Sequence, residues 1–326
     1  MRGTRKTDAV AVIGCALLLT AMGCGTSDKD ASDAKPRSQA SSPARAAAVG
    51  GRIVFDRGDV GAGESSVYVM DGDGSHVMLL LGRGANHPRW SPDGTAISLF
   101  CCDDGMAAHY LDPTTNTLRE TAAPDPALET HCGYWSPDGK RVLCESFGVD
   151  DPKRNGIYTV RVSDGGGLSR VTSNPGGDDI PGDFSPDGKR IVFVRLEQDR
   201  PVGIFVVGVD GSGLRRLTPK GMVLDESGFA GRWSPNDAIL LVARDEEGGH
   251  KKVWIVDADG RNLRRLPLEI GCELGCDSPT WSPDGAKIAL VVGNGSGEDI
   301  YTVNADGTKP VKLSHGDDPD WEPGPS

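Results

Sequence analysis

Short runs of Val, Ile and Leu recur along the chain, and each run is bounded by Gly, Pro, Asp or Asn. Runs of this length that are rich in β-branched residues favour buried β-strands over helices. They occupy residues 53–55, 97–100, 142–143, 191–194, 239–243 and 288–292. The pattern therefore predicts an all-β protein.

A further strand is predicted after each run, at residues 67–70, 108–111, 157–160, 204–207, 253–256 and 300–303. Most of these strands end in a turn signal such as Asp71-Gly72-Asp73-Gly74, which we interpret as a hairpin turn. A more polar segment comes next, for example at 214–217 and 263–266. Such a segment suits an outer strand that faces solvent.

One short phrase precedes most of the runs: an aromatic residue, then Ser, Pro and usually Asp-Gly. Its six copies begin at Trp90, Trp135, Phe184, Trp233, Trp281 and, in a shortened form, Trp321. Successive copies are 45, 49, 49, 48 and 40 residues apart. A period of this size is typical of one four-stranded propeller blade per repeat.

The phrase has the chemistry of a tight hairpin. Pro presets φ for a type I turn, and Gly takes the left-handed conformation of the bulge that follows it. The fourth copy carries Asn236-Asp237 where the others carry Asp-Gly. A non-glycine residue in that conformation is expected to cost about 1 kcal/mol.

Strand counting predicts how the array closes. The first run, 53–55, is a second strand without a first one, and residues 320–323 supply a first strand without a second. Pairing the two completes a blade and removes the free sheet edges. We therefore predict a six-bladed β-propeller of four-stranded antiparallel blades over residues 51–326.

The repeats resemble those of the TolB-type propeller family, a relative of WD40-like repeats. Ser278-Pro279-Thr280-Trp281-Ser282-Pro283-Asp284-Gly285 and Asp318-Pro319-Asp320-Trp321 match its repeat phrase most closely. The resemblance covers residues 50–326 and does not extend to the N-terminal α/β domain of TolB. It implies a propeller, whereas the role of TolB in the cell envelope does not simply carry over.

The N-terminus resembles a bacterial lipoprotein signal. Arg2, Arg5 and Lys6 precede an apolar stretch at 9–21 that is short for a membrane span. We predict a signal peptide at 1–23, an acylated Cys24 and a flexible tether at 24–50, with ordinary secretion or an uncleaved anchor as alternatives. The protein would then be lipid-anchored on the extracytoplasmic face of the cell membrane.

Charge and cysteine content agree with an exported, monomeric protein. The formal net charge of −12 disfavours nucleic acid and anionic lipid as main partners. Apart from Cys15 and Cys24, six cysteines remain, and an exported chain can oxidise them. Cys132 and Cys144 flank one predicted hairpin, Cys272 and Cys276 share one loop, and adjacent Cys101 and Cys102 receive no pairing.

No nucleophile elbow, zinc-protease, P-loop or dinucleotide motif occurs in the sequence. Polar residues nevertheless precede the aromatic positions, where loops converge on the axis: Asn86, His87, His131, Asp178, Asp179, Asp225, Glu226, Asp277, Asp317 and Asp318. They are candidate ligands for calcium or another divalent cation, although an acidic protein also needs such residues only to solvate its loops. We expect a binding or scaffold module for a protein, peptide or glycan, with a metal-dependent hydrolase or lactonase-like enzyme as the alternative.

Overall fold

The computed structural model describes residues 51–58, 65–82, 84–101, 108–122, 124–224, 229–244 and 249–324. Cys24, the predicted signal peptide and the tether lie outside these residues, as do Cys102, Asp225 and Glu226. The described residues form six four-stranded antiparallel sheets. This confirms the predicted fold class.

Each sheet is one blade, numbered here in ring order and given from the innermost strand outwards. Blade 1 contains β24 (Asp317–Trp321), β1 (Arg52–Gly58), β2 (Ser65–Asp71) and β3 (Met78–Leu81). Blade 2 contains β4 (Ala85–Trp90), β5 (Ile97–Cys101), β6 (His109–Asp112) and β7 (Thr117–Glu120). Blade 3 contains β8 (Leu128–Trp135), β9 (Arg141–Gly148), β10 (Gly156–Arg161) and β11 (Ser169–Arg170).

Blade 4 contains β12 (Asp179–Phe184), β13 (Arg190–Glu197), β14 (Arg200–Gly208) and β15 (Arg215–Arg216). Blade 5 contains β16 (Arg232–Trp233), β17 (Ala238–Arg244), β18 (Lys251–Asp257) and β19 (Arg264–Arg265). Blade 6 contains β20 (Cys276–Trp281), β21 (Lys287–Gly293), β22 (Glu298–Asn304) and β23 (Val311–His315). A single 3₁₀ turn, Pro152–Arg154, is the only helical element among the described residues.

The ring closes as strand counting predicts. Strand β24 pairs with β1, placing Ile53 opposite Trp321 and Val54 opposite Asp320. The Arg52 guanidinium binds the Glu322 carboxylate at 2.5 and 2.9 Å just beyond this pairing. Each innermost strand also contacts the innermost strand of the next blade, from β24 through β4, β8, β12, β16 and β20 back to β24.

The hydrophobic core lies between the blades. Six buried clusters each join residues of two neighbouring blades, and the repeat aromatic belongs to or packs against one of them. Trp90, for example, packs with Val54 and Val69 of blade 1 as well as Leu99 of its own blade. The phrase therefore supplies an inter-blade anchor as well as a turn.

The repeat turns share one geometry. In blade 2 the Gly94 N–H donates to the Ser91 carbonyl at 2.9 Å, and Gly94 has a φ of 68°. The Ser91 hydroxyl donates to Asp93 at 2.7 Å and accepts the Ala96 N–H at 2.9 Å. These bonds connect residues at most five positions apart, so each turn is specified locally.

Two disulfide bonds lie in the described part of the chain. Cys132 and Cys144 face each other across β8 and β9 with a Cα–Cα distance of 4.0 Å. Cys272 and Cys276 close a short loop that leads into β20. Among the described residues, no helix has the length and apolarity needed to cross a membrane.

Candidate functional site

The ring has two chemically different faces. We call the side with the Ser-Pro turns the turn face, and the side on which the innermost strands begin the loop face. The predicted site residues Asn86, His87, His131, Asp179, Asp277, Asp317 and Asp318 occupy innermost strands near the loop face. The structure brings only some of them together.

The corner between blades 1 and 2 holds the densest group. The Asp318 carboxylate accepts two bonds from the Arg89 Nη2 group, at 2.6 and 2.8 Å, and its Oδ2 also lies 2.7 Å from His87 Nδ1. The His87 backbone N–H donates to Asp56 Oδ2 at 3.0 Å. Four polar side chains from β1, β4 and β24 are thereby held against one another.

Backbone bulges aim two of these side chains. His87 and Asp318 each precede a proline and adopt left-handed φ values of 50° and 48°, as Ser278 does in blade 6 at 45°. The strand register shifts at each of these places. Bulges and left-handed non-glycine residues concentrate at functional sites, where they redirect side chains.

The local charges act on the ionisation of this corner. Burial disfavours a charged Asp318, but Arg89 and His87 outweigh it and lower the pKa of the Asp318 carboxyl. Burial also opposes protonation of His87, yet the hydrogen bond and charge of Asp318 raise the pKa of that imidazole. For Asp56, burial and the charge of Asp318 raise the pKa to about 6.

Asp317 lies beside this corner and forms no ion pair with any residue that the structure describes. Burial, reinforced by the charges of Asp318, Glu298 and Asp56, raises the pKa of Asp317 to about 8. Its Oδ1 accepts the Asp318 backbone N–H at 2.6 Å. The mutual repulsion of these carboxylates marks a region where positive charge on a ligand would be stabilised.

Two other predicted carboxylates, Asp179 and Asp277, are each neutralised by a separate cation. Asp179 binds Arg195 of its own blade at 2.7 and 2.8 Å. Asp277 binds Lys251 of blade 5 at 2.5 Å. Asn86 lies opposite Phe100 on β4 and β5. Among the described residues, the predicted candidates therefore do not form one ring of ligands.

A row of aromatic rings crosses blades 2 and 3 on the loop face. The ring centroids of His87 and Phe100 are 5.2 Å apart, those of Phe100 and His131 are 6.1 Å apart, and those of His131 and Phe147 are 6.3 Å apart. We call these four residues the aromatic row. All four are at least partly accessible to solvent.

Carboxylates border both ends of the aromatic row. Asp56 and Asp317 lie at the His87 end, and Glu145 lies directly opposite His131 at the other. Burial, with the charges of Asp178 and Asp179, raises the pKa of Glu145 to about 8. The loop face thus combines accessible rings with negative charge that lacks full compensation.

The corner has only part of the chemistry of a metal site. One ligand atom each from Asp56, His87 and Asp318 lies within 4.8 Å of the other two, so the three residue types and spacing suit a divalent cation. Arg89, however, already occupies both Asp318 oxygens with its positive charge. A cation would have to compete with that guanidinium.

Two sets of residues were missed by the sequence interpretation. Asp56 was missed because it follows the apolar run on β1. The second set consists of the six residues that immediately precede the repeat aromatics. Together they line a cavity of about 240 Å³ on the axis: Arg89, Tyr134, Asp183, Arg232, Thr280 and Asp320. We call this set the axial ring. Its signal was present, because a polar or Tyr residue occupies this position of a buried strand in every repeat.

Comparisons with known proteins agree on the fold. TolB from Acinetobacter baumannii is similar, with a TM-score of 0.67 and 24% identity, over 84% of this chain and 67% of its own. An oligogalacturonate lyase solved in complex with manganese has a TM-score of 0.57 and 15% identity, over 82% of this chain and 74% of its own. Hydrazine synthase of Kuenenia stuttgartiensis has a TM-score of 0.61 and 14% identity, over 82% and 46% respectively.

These structures have different functions, so at such identities the likeness supports the fold alone. The sequence itself matches the family model of the TolB beta propeller domain over residues 47–229. That match spans more than half of the chain, and the six closed blades agree with it. The chain therefore belongs to the TolB beta propeller domain family.

Proposed function

We propose that this protein is a lipid-anchored, extracytoplasmic propeller that binds a segment of a partner protein on its loop face. The observation that carries the proposal is the aromatic row bordered by Asp56, Asp317 and Glu145. Half-exposed rings contribute contact area at low conformational cost, and they accept cations on their faces. The family membership supports a protein-binding module in general.

The chemistry of the face indicates the kind of segment. Carboxylates that raise one another's pKa favour an incoming Lys or Arg. The spaced rings favour an extended backbone with apolar or aromatic side chains between those cations. We therefore propose a basic, aromatic-containing peptide segment as the ligand.

Pull-down from detergent-solubilised envelopes tests the proposal. The bait would be the whole chain, compared with a loop-face variant, His131→Ala with Phe147→Ala, and with a turn-face control, Lys140→Ala, whose side chain is exposed. We expect one partner to be retained by the first and third baits and lost from the second. Equal retention by all three would show that the loop face is not the binding surface.

The anchor is a separate part of the proposal. The positive n-region, the apolar stretch and Cys24 support lipidation, and acyl chains add about 0.8 kcal/mol of membrane affinity per buried methylene. Cys24→Ser should release the protein from the membrane fraction, whereas Cys15→Ser should not. Membrane partitioning of Cys24→Ser equal to that of the wild type would contradict the anchor.

A second candidate function is a metal-dependent hydrolase or lactonase-like enzyme. The specific observation for it is the Asp56, His87 and Asp318 group, whose ligand atoms lie within 4.8 Å of one another. Arg89 competes with a cation for the Asp318 carboxylate, which favours the binding module over the enzyme. Elemental analysis after dialysis without chelator, repeated on Asp56→Asn, tests it: a stoichiometric cation that the variant loses would favour it over the binding module.

A further inference from the structure

The axial ring has an internal two-fold pattern. Around the axis its members follow the order Asp320, Arg89, Tyr134, Asp183, Arg232 and Thr280, one from each blade. Blades 1 to 3 therefore contribute Asp-Arg-Tyr, and blades 4 to 6 contribute Asp-Arg-Thr. The two arginines lie in equivalent positions, but their surroundings differ.

Arg232 is buried and forms no ion pair within the described part of the chain. It is 6% exposed, its Nη1 donates to the Gly182 carbonyl at 2.8 Å, and its Cζ lies 4.8 Å from the centroid of the Tyr134 ring. Arg89, by contrast, forms a two-oxygen ion pair with Asp318. No carboxylate of the described residues lies within ion-pair distance of Arg232. The charges of Asp183, Asp318 and Asp320 act on it only from beyond that distance. An anionic group in direct contact would therefore stabilise this buried guanidinium.

Several residues that line the cavity with Arg232 carry a hydrogen-bond donor without an acceptor. Trp90, Trp281 and Trp321 line the cavity, and their indole N–H groups are buried without an acceptor among the described residues. The Nε of Arg89 is also buried without an acceptor among the described residues. These nitrogen atoms have almost no accessible surface of their own. A ligand in the cavity would lie next to the three tryptophans, so their indole signals can report its binding.

The two aspartates of the axial ring supply the opposite charge. Asp320 accepts the Trp90 backbone N–H at 2.8 Å, and Asp183 accepts that of Trp233 at 3.0 Å. Burial raises the pKa of both carboxyls, that of Asp183 to about 6, despite the nearby arginines. Each carboxylate would be stabilised by a hydrogen-bonding cation.

We propose that the axial cavity binds a small zwitterion of the α-amino acid class, with its carboxylate on Arg232 and its ammonium on Asp320 or Asp183. A simple anion would lie beside two carboxyl groups, and a simple cation would lie beside Arg232. A zwitterion matches both charges at once. The cavity of about 240 Å³ is smaller than the sites of about 300–1,000 Å³ that hold drug-sized ligands, so the ligand must be small.

The site shares Arg89 with the corner between blades 1 and 2 but shares no residue with the aromatic row. The turn residues Pro92, Pro137 and Pro323 also line the cavity, which places it toward the turn face. None of the aromatic-row residues lines it. Success or failure here therefore leaves the partner-binding proposal unchanged.

NMR of the indole N–H groups in the full-length protein tests the inference directly. The protein would be titrated with glycine, then with the other α-amino acids, and with acetate and methylammonium as single-charge probes. We expect at least one amino acid to shift the Trp90, Trp281 and Trp321 signals. Trp254 is the internal control, because its indole N–H is also unpartnered but does not line the cavity.

Variants identify the groups that hold the ligand. Arg232→Gln and at least one of Asp320→Asn and Asp183→Asn should weaken the binding at least tenfold, and Arg232→Lys should lie between Arg232→Gln and the wild type. Arg264→Gln, on the exposed outer strand β19, should leave the affinity unchanged. If Arg232→Gln does not fold, Asp320→Asn and Asp183→Asn provide the test, because each keeps an acceptor for its backbone N–H donor, Trp90 or Trp233.

Three results would overturn the proposal. The first is the absence of any indole shift with every amino acid, and the second is unchanged affinity in both Asp320→Asn and Asp183→Asn and in any folded Arg232 variant. The third is acetate or methylammonium binding as tightly as the best amino acid, because a site for one charge would not need both Arg232 and the aspartates.

Discussion

The two faces of the ring differ in how their polar residues are satisfied. On the turn face, four blades repeat one arrangement, in which the Ser-to-Asp bond is 2.6 or 2.7 Å and the Gly φ is 67 to 69°. On the loop face, the acidic residues that are paired have partners in different places. Asp318 binds Arg89 of the next blade, Asp179 binds Arg195 of its own blade, and Asp277 binds Lys251 of the preceding blade.

The difference follows from the range of the interactions. The hydrogen bonds of a turn join residues at most five positions apart, so every repeat can contain all the residues that its turn needs. A loop-face contact joins separate blades, and the Asp318 partners His87 and Arg89 are 231 and 229 residues away. Variation between blades is therefore concentrated on the face where a partner is proposed to bind.

Opening the ring should have the largest effect, because it disrupts both faces at once. Removing residues 320–326 takes away Trp321, the Asp320 bond to Trp90 and the Glu322 bonds to Arg52. Loss of a buried Trp alone costs about 3–5 kcal/mol, a large part of the about 5–15 kcal/mol typical of domain stability. We expect the truncated chain to be largely unfolded, as measured by circular dichroism and denaturant titration.

The matched control for this deletion removes only residues 324–326, which follow β24 and leave its pairing with β1 intact. It should unfold at the wild-type denaturant concentration. Wild-type stability of the longer deletion would mean that β24 does not hold the ring closed.

Removing one carboxylate should cost more at the blade 1 and 2 corner than elsewhere on the loop face. In Asp318→Asn the Arg89 side chain, 7% exposed, would be left charged and unpaired, which typically costs about 3–5 kcal/mol. Asp277 and Lys251 are 18% and 26% exposed, so solvent screens their pair, and Asp277→Asn should cost about 1 kcal/mol or less. Urea titration of both variants measures the difference.

A double variant separates the ion pair from packing in this corner. Replacing both partners, Asp318→Asn with Arg89→Met, removes the unpaired charge and should recover part of the stability lost in Asp318→Asn. A double variant as unstable as the sum of its single changes would instead assign the cost to lost packing.

The same contrast explains what the sequence could predict. Strands, turns and ring closure were predictable because the repeat phrase and the leftover strands 53–55 and 320–323 carry local signals. The corner was only partly predictable, since His87 and Asp318 stood out as polar residues but Asp56 and Arg89 join them through the register of three strands. The axial ring needed the position before each aromatic to be compared across repeats.

Replacing Glu145 should change the stability of the protein by an amount that depends on pH. Burial and nearby Asp178 raise the pKa of Glu145 from 4.5 to about 8 in the folded protein. The stability it contributes is therefore complete below pH 4.5 and is lost as pH rises through about 8. Glu145→Gln removes this loss and should be more stable than the wild type at pH 9, by on the order of 2 kcal/mol.

Thermal unfolding from pH 4.5 to 9 measures this effect, with Glu273→Gln as the control because Glu273 is an exposed carboxylate in the loop that leads into β20. The wild-type and Glu145→Gln curves should converge near pH 4.5, separate progressively as the pH rises to about 8, and run parallel above that pH. Curves that are parallel over the whole range would show that Glu145 ionises normally, which would weaken the case for uncompensated charge beside the aromatic row.

The smallest effect is expected on the turn face, at the one turn that departs from the repeat. Asp237 has a φ of 68°, the conformation that Gly adopts in the other turns. Its Oδ1 accepts the Trp233 indole N–H at 2.9 Å and an Arg190 N–H at 2.7 Å.

Asp237→Gly would relieve about 1 kcal/mol of backbone strain, but it would leave the Trp233 N–H without its acceptor, at about 1–3 kcal/mol. We expect a net loss of about 1 kcal/mol, and a change below about 0.5 kcal/mol for Asp237→Asn, which keeps an acceptor and tolerates this φ. Stabilisation by Asp237→Gly in urea titration would mean that backbone strain outweighs the side-chain bonds. The turn face would then be fully interchangeable between blades, and the contrast with the loop face would be sharper than the one described.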